Sequence, residues 1–243
     1  ANRIVWSGVF VALLLSVQRH WGWLPAALRS RRIVLTYVGA GVLLSVNWYI
    51  YIWAVNAGFL VDSSLGYFIT PLINVLLGVL VFRERLHVAQ WLAVGLATAG
   101  VLYITFTYGQ LPWIGLSLAL TFGVYGLVKK RARLPSLEGM ALETGAILLP
   151  ALAILFYQEV NGSGVLGHVD WWTTLLLVGT GIVTIIPLLW FADAAQRIPL
   201  SMLGLIQYIA PTLMFLIGLL AYHEAFDAHK LVGFALIWVA LAV

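Results

Sequence analysis

The sequence predicts an all-α polytopic membrane protein, and three observations support this fold class. Of the 243 residues, 63% are hydrophobic and only 9% are charged, whereas about 25% of the residues in a soluble domain are charged. The apolar residues form nine long runs, and eleven of the thirteen Lys and Arg residues lie in alternate segments between those runs. So few charges cannot cover a water-soluble fold, which excludes an ordinary soluble enzyme, a disordered chain and a nucleic-acid-binding protein.

The apolar runs have the length of membrane-spanning helices. A helix needs about 20 mostly apolar residues to cross the hydrocarbon layer, and barrel strands would instead alternate over about ten residues. In lipid each run must satisfy its own backbone groups, which favours helices. The predicted helices cover residues 3–18, 33–56, 65–82, 88–106, 112–128, 140–157, 172–191, 200–221 and 231–243.

The distribution of basic residues predicts the orientation of the chain. Loops that carry Lys and Arg remain on the cytoplasmic side. The loops 19–32, 83–87, 129–138 and 193–199 together hold eleven basic residues, and only Arg3 and Lys230 lie on the other side. These four loops are therefore predicted to be cytoplasmic.

The sequence repeats itself at an offset of 140 residues. The strongest match sets Pro71, Gly78 and Glu84 against Pro211, Gly218 and Glu224, with identical spacing. The predicted repeats are residues 1–106 and 112–243. The run at 112–128 opens the second repeat, and its partner would precede residue 1. We therefore expect a fold of ten helices, five in each repeat, of which nine are present, with a last helix that is short by a few residues.

An odd number of helices in each repeat requires the two repeats to cross the membrane in opposite directions. The flanking charges support this expectation, because Glu84 lies between Arg83 and Arg85 in a predicted cytoplasmic loop, whereas Glu224 has no neighbouring arginine. Inverted repeats of this kind are an architecture of secondary transporters, which place the substrate near the middle of the bilayer.

Four segments resemble a known family. They are residues 47–55 (NWYIYIWAV), 65–72 (LGYFITPL), 187–192 (PLLWFA) and 207–212 (QYIAPT). They are similar to the RarD subfamily of the EamA group, in the drug/metabolite transporter superfamily, whose members are often labelled chloramphenicol-sensitive proteins. The resemblance implies a ten-helix exporter of the inner membrane with inverted five-helix repeats.

Polar and aromatic side chains in the middle of the runs are the candidates for substrate contacts. Asn47 and Tyr51 are four residues apart on one helix face, and Trp48 lies beside Tyr51. They line a pocket for an organic substrate, or they form hydrogen bonds and packing contacts between helices. The complete candidate set is Asn47, Trp48, Tyr51, Tyr67, Asn74, Trp190, Gln207 and Tyr208.

Two runs contain a proline, and each is predicted to kink or unwind there. Pro71 follows Gly66 in the first repeat, and Pro211 follows Gly204 in the second. These residues form hinges next to substrate contacts, or they form static kinks that serve packing.

Arg3 and Glu143 are ionisable partners at the 140-residue offset. Each is predicted to line a vestibule at opposite ends of the protein, and Glu143 is a candidate for titration in proton coupling. The alternative for Glu143 is favourable placement near a helix N-terminus.

The predicted function is secondary export of small amphipathic or aromatic organic metabolites or drugs by alternating access, with proton coupling as an added hypothesis. A lipid flippase or a channel-like protein on the same scaffold is the alternative. No clustered catalytic set, metal-ligand set or phosphate-binding loop occurs in the sequence, so we expect no enzyme activity, metal or cofactor. The expected partners are the small-molecule substrate and the lipid bilayer but no nucleic acid, and a homodimer is left open.

Overall fold

The computed structural model describes residues 1–108, 111–162, 164, 170–221 and 238–239. All regular secondary structure within these residues is helical. The helices are α1 (Asn2–Val17), α2 (Leu24–Arg29), α3 (Arg31–Asn56), α4 (Leu60–Phe82), α5 (Val88–Tyr108), α6 (Trp113–Arg131), α7 (Ser136–Val160), α8 (Trp171–Arg197), α9 (Leu200–Gln207) and α10 (Ile209–Ala221).

The all-helical membrane fold that the sequence predicts is confirmed. Within the described part of the chain, four helices are long and apolar enough to cross a membrane: Arg31–Asn56, Ser63–Phe82, Ser136–Val160 and Trp171–Arg197. Asn2–Val17, Val88–Tyr103 and Leu200–Leu213 are shorter apolar helices. The predicted helix 231–243 and Glu224 lie outside the described residues, apart from helical positions 238–239.

Some predicted loop boundaries need correction. The short helix α2 occupies part of the predicted loop 19–32. Helix α6 continues to Arg131, so Lys129 and Lys130 belong to a helix and not to the loop 129–138. Helix α8 likewise runs to Arg197. Hydropathy alone ended these helices at the first charge, whereas a long cationic side chain can extend a helix to the membrane surface.

Local signals account for several helix ends. Asp170 precedes α8 and accepts hydrogen bonds from the Thr173 hydroxyl, at 2.7 Å, and from the Thr173 backbone N–H, at 3.1 Å. These bonds hold the pKa of Asp170 below its ordinary value, so the cap stays ionised well below neutral pH. At the end of α4, Arg83 adopts a left-handed conformation with φ of 55°.

The chain forms two compact units. One comprises residues 1–45 and 128–196, and the other comprises residues 46–127 and 197–243. Each unit therefore contains segments of both predicted repeats. The repeat boundaries themselves, 1–106 and 112–243, remain a prediction from the sequence.

In the first unit, α1 packs extensively against α7. Val11 and Leu15 of α1 form a buried cluster with Met140 of α7 and Ile185 of α8. Ser7 adds a buried hydrogen bond from its hydroxyl to the carbonyl of Gly181, at 3.3 Å. Small side chains at these crossings allow the helix backbones to approach closely.

Two glycines of the first unit make reciprocal contacts. A Cβ atom on Gly41 would lie 3.0 Å from the Glu143 carbonyl oxygen and 3.2 Å from the Ile147 side chain. A Cβ atom on Gly181 would lie 2.6 Å from the Trp6 carbonyl carbon and 2.8 Å from the Ser7 nitrogen. Gly41 and Gly181 are related by the 140-residue offset, as are Ser7 and Ile147. Such reciprocal contacts are expected of a duplicated chain with a pseudo-two-fold axis.

In the second unit, α4 packs extensively against α9. A Cβ atom on Gly204 would lie 2.6 Å from the Pro71 carbonyl oxygen, so the two backbones touch at this point. The Tyr208 hydroxyl donates to the Phe68 carbonyl at 3.1 Å, and these two residues are also 140 positions apart. The contact between α4 and α9 is therefore one between the repeat partners themselves.

Neither proline interrupts its segment by more than one residue. Helix α4 runs continuously through Pro71. The break between α9 and α10 is Tyr208 alone, three residues before Pro211, and its backbone stays in the right-handed helical region with φ of −64° and ψ of −14°. The unwinding expected at the prolines is therefore absent at Pro71 and limited to one residue before Pro211. Gly66 and Gly204 are sites of close packing. Gly66 lies against α6, where a Cβ atom would be 3.1 Å from the Leu118 Cβ.

The spacing from Gly78 to Glu84 has a direct structural reason. The Glu84 carboxylate accepts the backbone N–H groups of Leu200, at 2.8 Å, and Ser201, at 2.9 Å, together with the Ser201 hydroxyl, at 2.7 Å. A Cβ atom on Gly78 would lie 2.5 Å from a Glu84 carboxylate oxygen. Glu84 thus caps the N-terminus of α9, where negative charge is stabilising, and only glycine at position 78 leaves it room.

Replacement of Gly181 with alanine should destabilise the protein. The added methyl group would overlap the α1 backbone, so we expect a loss of about 1–3 kcal/mol. Gly179 is the matched control, because nothing lies within 4 Å of a Cβ atom at that position of the same helix. Unfolding of the two variants in detergent measures the difference, and equal midpoints for Gly181→Ala and Gly179→Ala would contradict the close contact.

Candidate functional site

Asn47 bridges two helices of the second unit. Its side-chain amide donates to the Leu118 carbonyl, at 2.9 Å, and to the Thr121 hydroxyl, at 2.8 Å, both on α6. Of the two alternatives for Asn47, hydrogen bonding between helices therefore accounts for its amide hydrogens. Asn47 therefore holds α3 against α6.

An aromatic pair lies near Asn47. The rings of Tyr51 on α3 and Tyr67 on α4 meet edge to face, with centroids 6.0 Å apart. Tyr67 keeps 38% of its surface exposed, and Trp48 is half-buried one turn earlier on α3. Edge-to-face contact is a favoured arrangement of aromatic rings, and the exposed part of Tyr67 adds aromatic surface beside Tyr51.

Asn74 is a fully enclosed polar residue of the second unit. Its side chain has no exposed surface, and its amide group donates to the Gln207 side-chain oxygen. The Asn74 side-chain oxygen is buried and has no hydrogen-bond partner within the described residues. A buried acceptor without a donor is costly, which sets Asn74 apart as a candidate for substrate contact.

The predicted residues Asn74, Gln207 and Tyr208 thus meet where α4 and α9 cross. Tyr67 and Asn74 are seven residues apart, which places them on the same face of α4. The structure therefore brings together Tyr51, Tyr67, Asn74, Gln207 and Tyr208 in one unit. Trp190 lies on α8 in the other unit and has 72% of its surface exposed.

The first unit contains a buried ion pair that the sequence did not reveal. The Lys129 ammonium group on α6 lies 2.5 Å from the Glu143 carboxylate on α7, and each side chain is only 1% exposed. Lys129 also lies 5.8 Å from the ring centroid of Tyr37. Hydropathy places Lys129 in the predicted loop 129–138. No proline lies between Trp113 and Lys129, and that was the available signal.

The ion pair changes the interpretation of Arg3 and Glu143. Arg3 is exposed on α1, whereas Glu143 is enclosed and held by Lys129. A second acidic residue of α7, Glu138, is nearly buried and lies 2.9 Å from the exposed His20. The Tyr37 hydroxyl group accepts the Leu134 backbone N–H at 3.0 Å. Two of the three α7 carboxylates, Glu138 and Glu143, therefore lie beside basic groups.

The described part of the chain contains no group of three or more His, Asp or Glu side chains that could hold a metal ion. The polar residues gathered in the second unit are amides and phenols. Their chemistry is recognition through hydrogen bonds and ring contacts.

Comparison with known proteins gives the family. A model of the EamA-like transporter family matches residues 1–106 and 112–243. The chain belongs to the EamA-like transporter family. Family membership and the apolar helices together show that the protein is an integral membrane protein. Its family consists of transporters.

Several relatives share the sequence over its whole length. The chain is 46% identical to the protein RarD of Streptomyces exfoliatus, with 100% of this chain and 77% of that protein covered. It is also 46% identical to the uncharacterized transporter YojE of Bacillus subtilis, with 99% and 81% covered. The chloramphenicol-sensitive protein RarD of Pseudomonas aeruginosa is 31% identical, with 99% and 81% covered. These relatives agree with the predicted RarD subfamily.

The fold also has a counterpart among solved structures. One crystal structure superimposes with a TM-score of 0.72 and 21% sequence identity, and it covers 99% of this chain and 85% of that chain. At 21% sequence identity, this likeness shows that the two chains share a fold.

Removal of one member of the buried ion pair should destabilise the protein strongly. Glu143→Gln leaves the Lys129 ammonium group buried without its counter-charge, so we expect a loss of about 3–5 kcal/mol. The double variant Lys129→Met with Glu143→Leu removes both charges and should recover most of that loss. Chemical unfolding in detergent distinguishes them, and a double variant as unstable as the single one would contradict the pairing.

Proposed function

We propose that the protein is a secondary transporter of the inner membrane that exports small amphipathic or aromatic organic molecules by alternating access. The observation that carries this proposal is the buried polar group at the crossing of α4 and α9, where Asn74 presents an acceptor without a donor. Family membership supports transport in general, and the site supports the class of substrate.

The side chains at the crossing favour an uncharged or zwitterionic ligand with an aromatic part. Asn74 and Gln207 offer amide groups, and Tyr51 and Tyr67 offer ring surface. None of these side chains carries a formal charge at neutral pH. An isolated ion would therefore find no counter-charge among them, and burying it would be expensive.

The contact between counterpart segments supports alternating access. Helix α4 packs against its counterpart α9, and the Tyr208 hydroxyl group donates to the carbonyl of Phe68, its own counterpart at the 140-residue offset. Transporters with inverted repeats alternate when the two repeats exchange conformations. Pro71 and Pro211, with Gly66 and Gly204, are the proposed hinge residues of that exchange.

The proposed orientation follows the basic residues. The loops 19–32, 83–87, 129–138 and 193–199 face the cytoplasm, because positive charge is retained on that side. In this orientation the ion pair of Lys129 and Glu143 lies towards the cytoplasmic end of α6, near the run of basic residues that closes the helix.

We further propose that this ion pair couples transport to protons. A buried carboxylate that loses its cationic partner during a conformational change takes up a proton. Glu143 is the group that would do so, and Lys129 is its partner in the present conformation.

Substitution of Asn74 with alanine should weaken substrate binding. Loss of the buried amide should raise the KM for uptake about tenfold, which corresponds to about 1.4 kcal/mol. The complete protein is reconstituted in liposomes and tested with chloramphenicol and a panel of uncharged and zwitterionic aromatic solutes. Asn56→Ala is the matched control, because Asn56 is exposed and bonds within its own helix to Ile52.

Three outcomes of this assay would contradict the proposal. An equal KM for uptake in Asn74→Ala and in the unaltered protein would show that Asn74 does not contact the substrate. Flux that never saturates would indicate a channel. Movement of labelled phospholipid between leaflets without solute flux would indicate a flippase.

Neutralisation of both members of the ion pair should remove the pH dependence of transport. The variant Lys129→Met with Glu143→Leu retains a folded protein but has no titratable group at this position, so an imposed pH gradient should no longer accelerate flux. Glu138→Gln is the control on the same helix and should retain the response. A double variant that still responds to the gradient would refute coupling through Glu143.

A further inference from the structure

A cavity of 430 Å³ lies within the first unit, apart from the site described above. Four helices contribute to its wall: α1, α2, α3 and α7. Its lining includes Gly8, Trp21, Leu24, Leu28, Val34 and Gly145. Almost every group on this wall is apolar, so the cavity suits hydrocarbon better than a polar solute.

The cavity opens to the surface of the unit. Gly145 is exposed, and nothing lies within 4 Å of a Cβ atom built on it. Leu28 of α2 is 56% exposed. An opening bordered by apolar side chains on membrane helices faces lipid.

One end of the cavity carries a cluster of arginines. Arg29 follows the lining residue Leu28, and Arg31 and Arg32 precede the lining residue Val34. All three arginines are exposed. Positive charge at this end is therefore available to an anion.

Two tryptophans mark the same end as a membrane interface. The Trp21 indole donates to the Ser16 hydroxyl at 3.2 Å, and the Trp23 indole donates to the His20 carbonyl at 2.8 Å. These bonds hold the rings in place beside α2. Indole rings concentrate at the level of lipid headgroups.

We propose that this groove binds an anionic phospholipid, with an acyl chain in the apolar cavity and the phosphate against Arg29, Arg31 and Arg32. Basic pockets between helices on the cytoplasmic side bind anionic headgroups in this way. The location in the cytoplasmic leaflet rests on the proposed orientation of the loop 19–32. The lipid site itself is independent of the transported substrate.

Native mass spectrometry of the complete, delipidated protein tests the proposal. Phosphatidylglycerol and phosphatidylethanolamine with identical acyl chains are added in equal amounts. We expect phosphatidylglycerol to be retained about tenfold more than phosphatidylethanolamine. The triple variant Arg29→Gln, Arg31→Gln, Arg32→Gln should lose this preference. Arg83→Gln with Arg85→Gln, on another predicted cytoplasmic loop, should keep it.

A second set of variants tests the cavity. Gly145→Leu fills the open wall and should reduce retention of both lipids at least tenfold, whereas Gly39→Leu, which also points into open space but does not line the cavity, should leave retention unchanged. If Gly145→Leu unfolds, Ala12→Leu, which fills the cavity from α1, replaces it in this test.

Equal retention of the two phospholipids by the unaltered protein would overturn the proposal. So would a triple arginine variant that keeps the preference, or a folded filled-cavity variant that still retains lipid. Displacement of the lipid by a transported aromatic solute would make the cavity part of the substrate path and would also overturn it.

Discussion

Close approach of helix backbones at glycine is the constraint on which the rest of this structure depends. Lipid tails are as apolar as leucine, so burial of apolar surface does little to hold one membrane helix against another. Packing contacts must supply the attraction, and they weaken steeply with distance. Gly181 in the first unit and Gly204 in the second each bring one backbone onto another at a point where a methyl group would not fit, and Gly41 leaves little room for one.

The same close approach determines where polar groups can be buried. At Gly78 it allows the Glu84 carboxylate to reach the N-terminus of α9. At Gly204 it brings Asn74 within reach of Gln207. Buried polar groups far from water are tolerated when partners are held at hydrogen-bond distance. The one acceptor of Asn74 that lacks a partner therefore stands out against an otherwise satisfied neighbourhood.

The contacts between repeat partners connect this packing with function. Tyr208 bonds to Phe68, which is its own counterpart at the 140-residue offset, and the reciprocal glycines Gly41 and Gly181 contact residues that are likewise counterparts. The candidate substrate groups lie where these counterparts meet.

Much of the fold follows from the sequence, whereas most of the site does not. The lengths of the apolar runs, the alternation of basic segments and the 140-residue offset determine the helices and the repeat, because each depends on composition or spacing along the chain. Asn74, Gln207 and Tyr208 could be selected as polar residues within apolar helices. The ion pair of Lys129 with Glu143, the unmatched oxygen of Asn74 and the exposure of Trp190 were decided only by tertiary structure. These helices are apolar on most faces, so the sequence does not specify which face turns inward, and that rotation is set by the glycine contacts between helices.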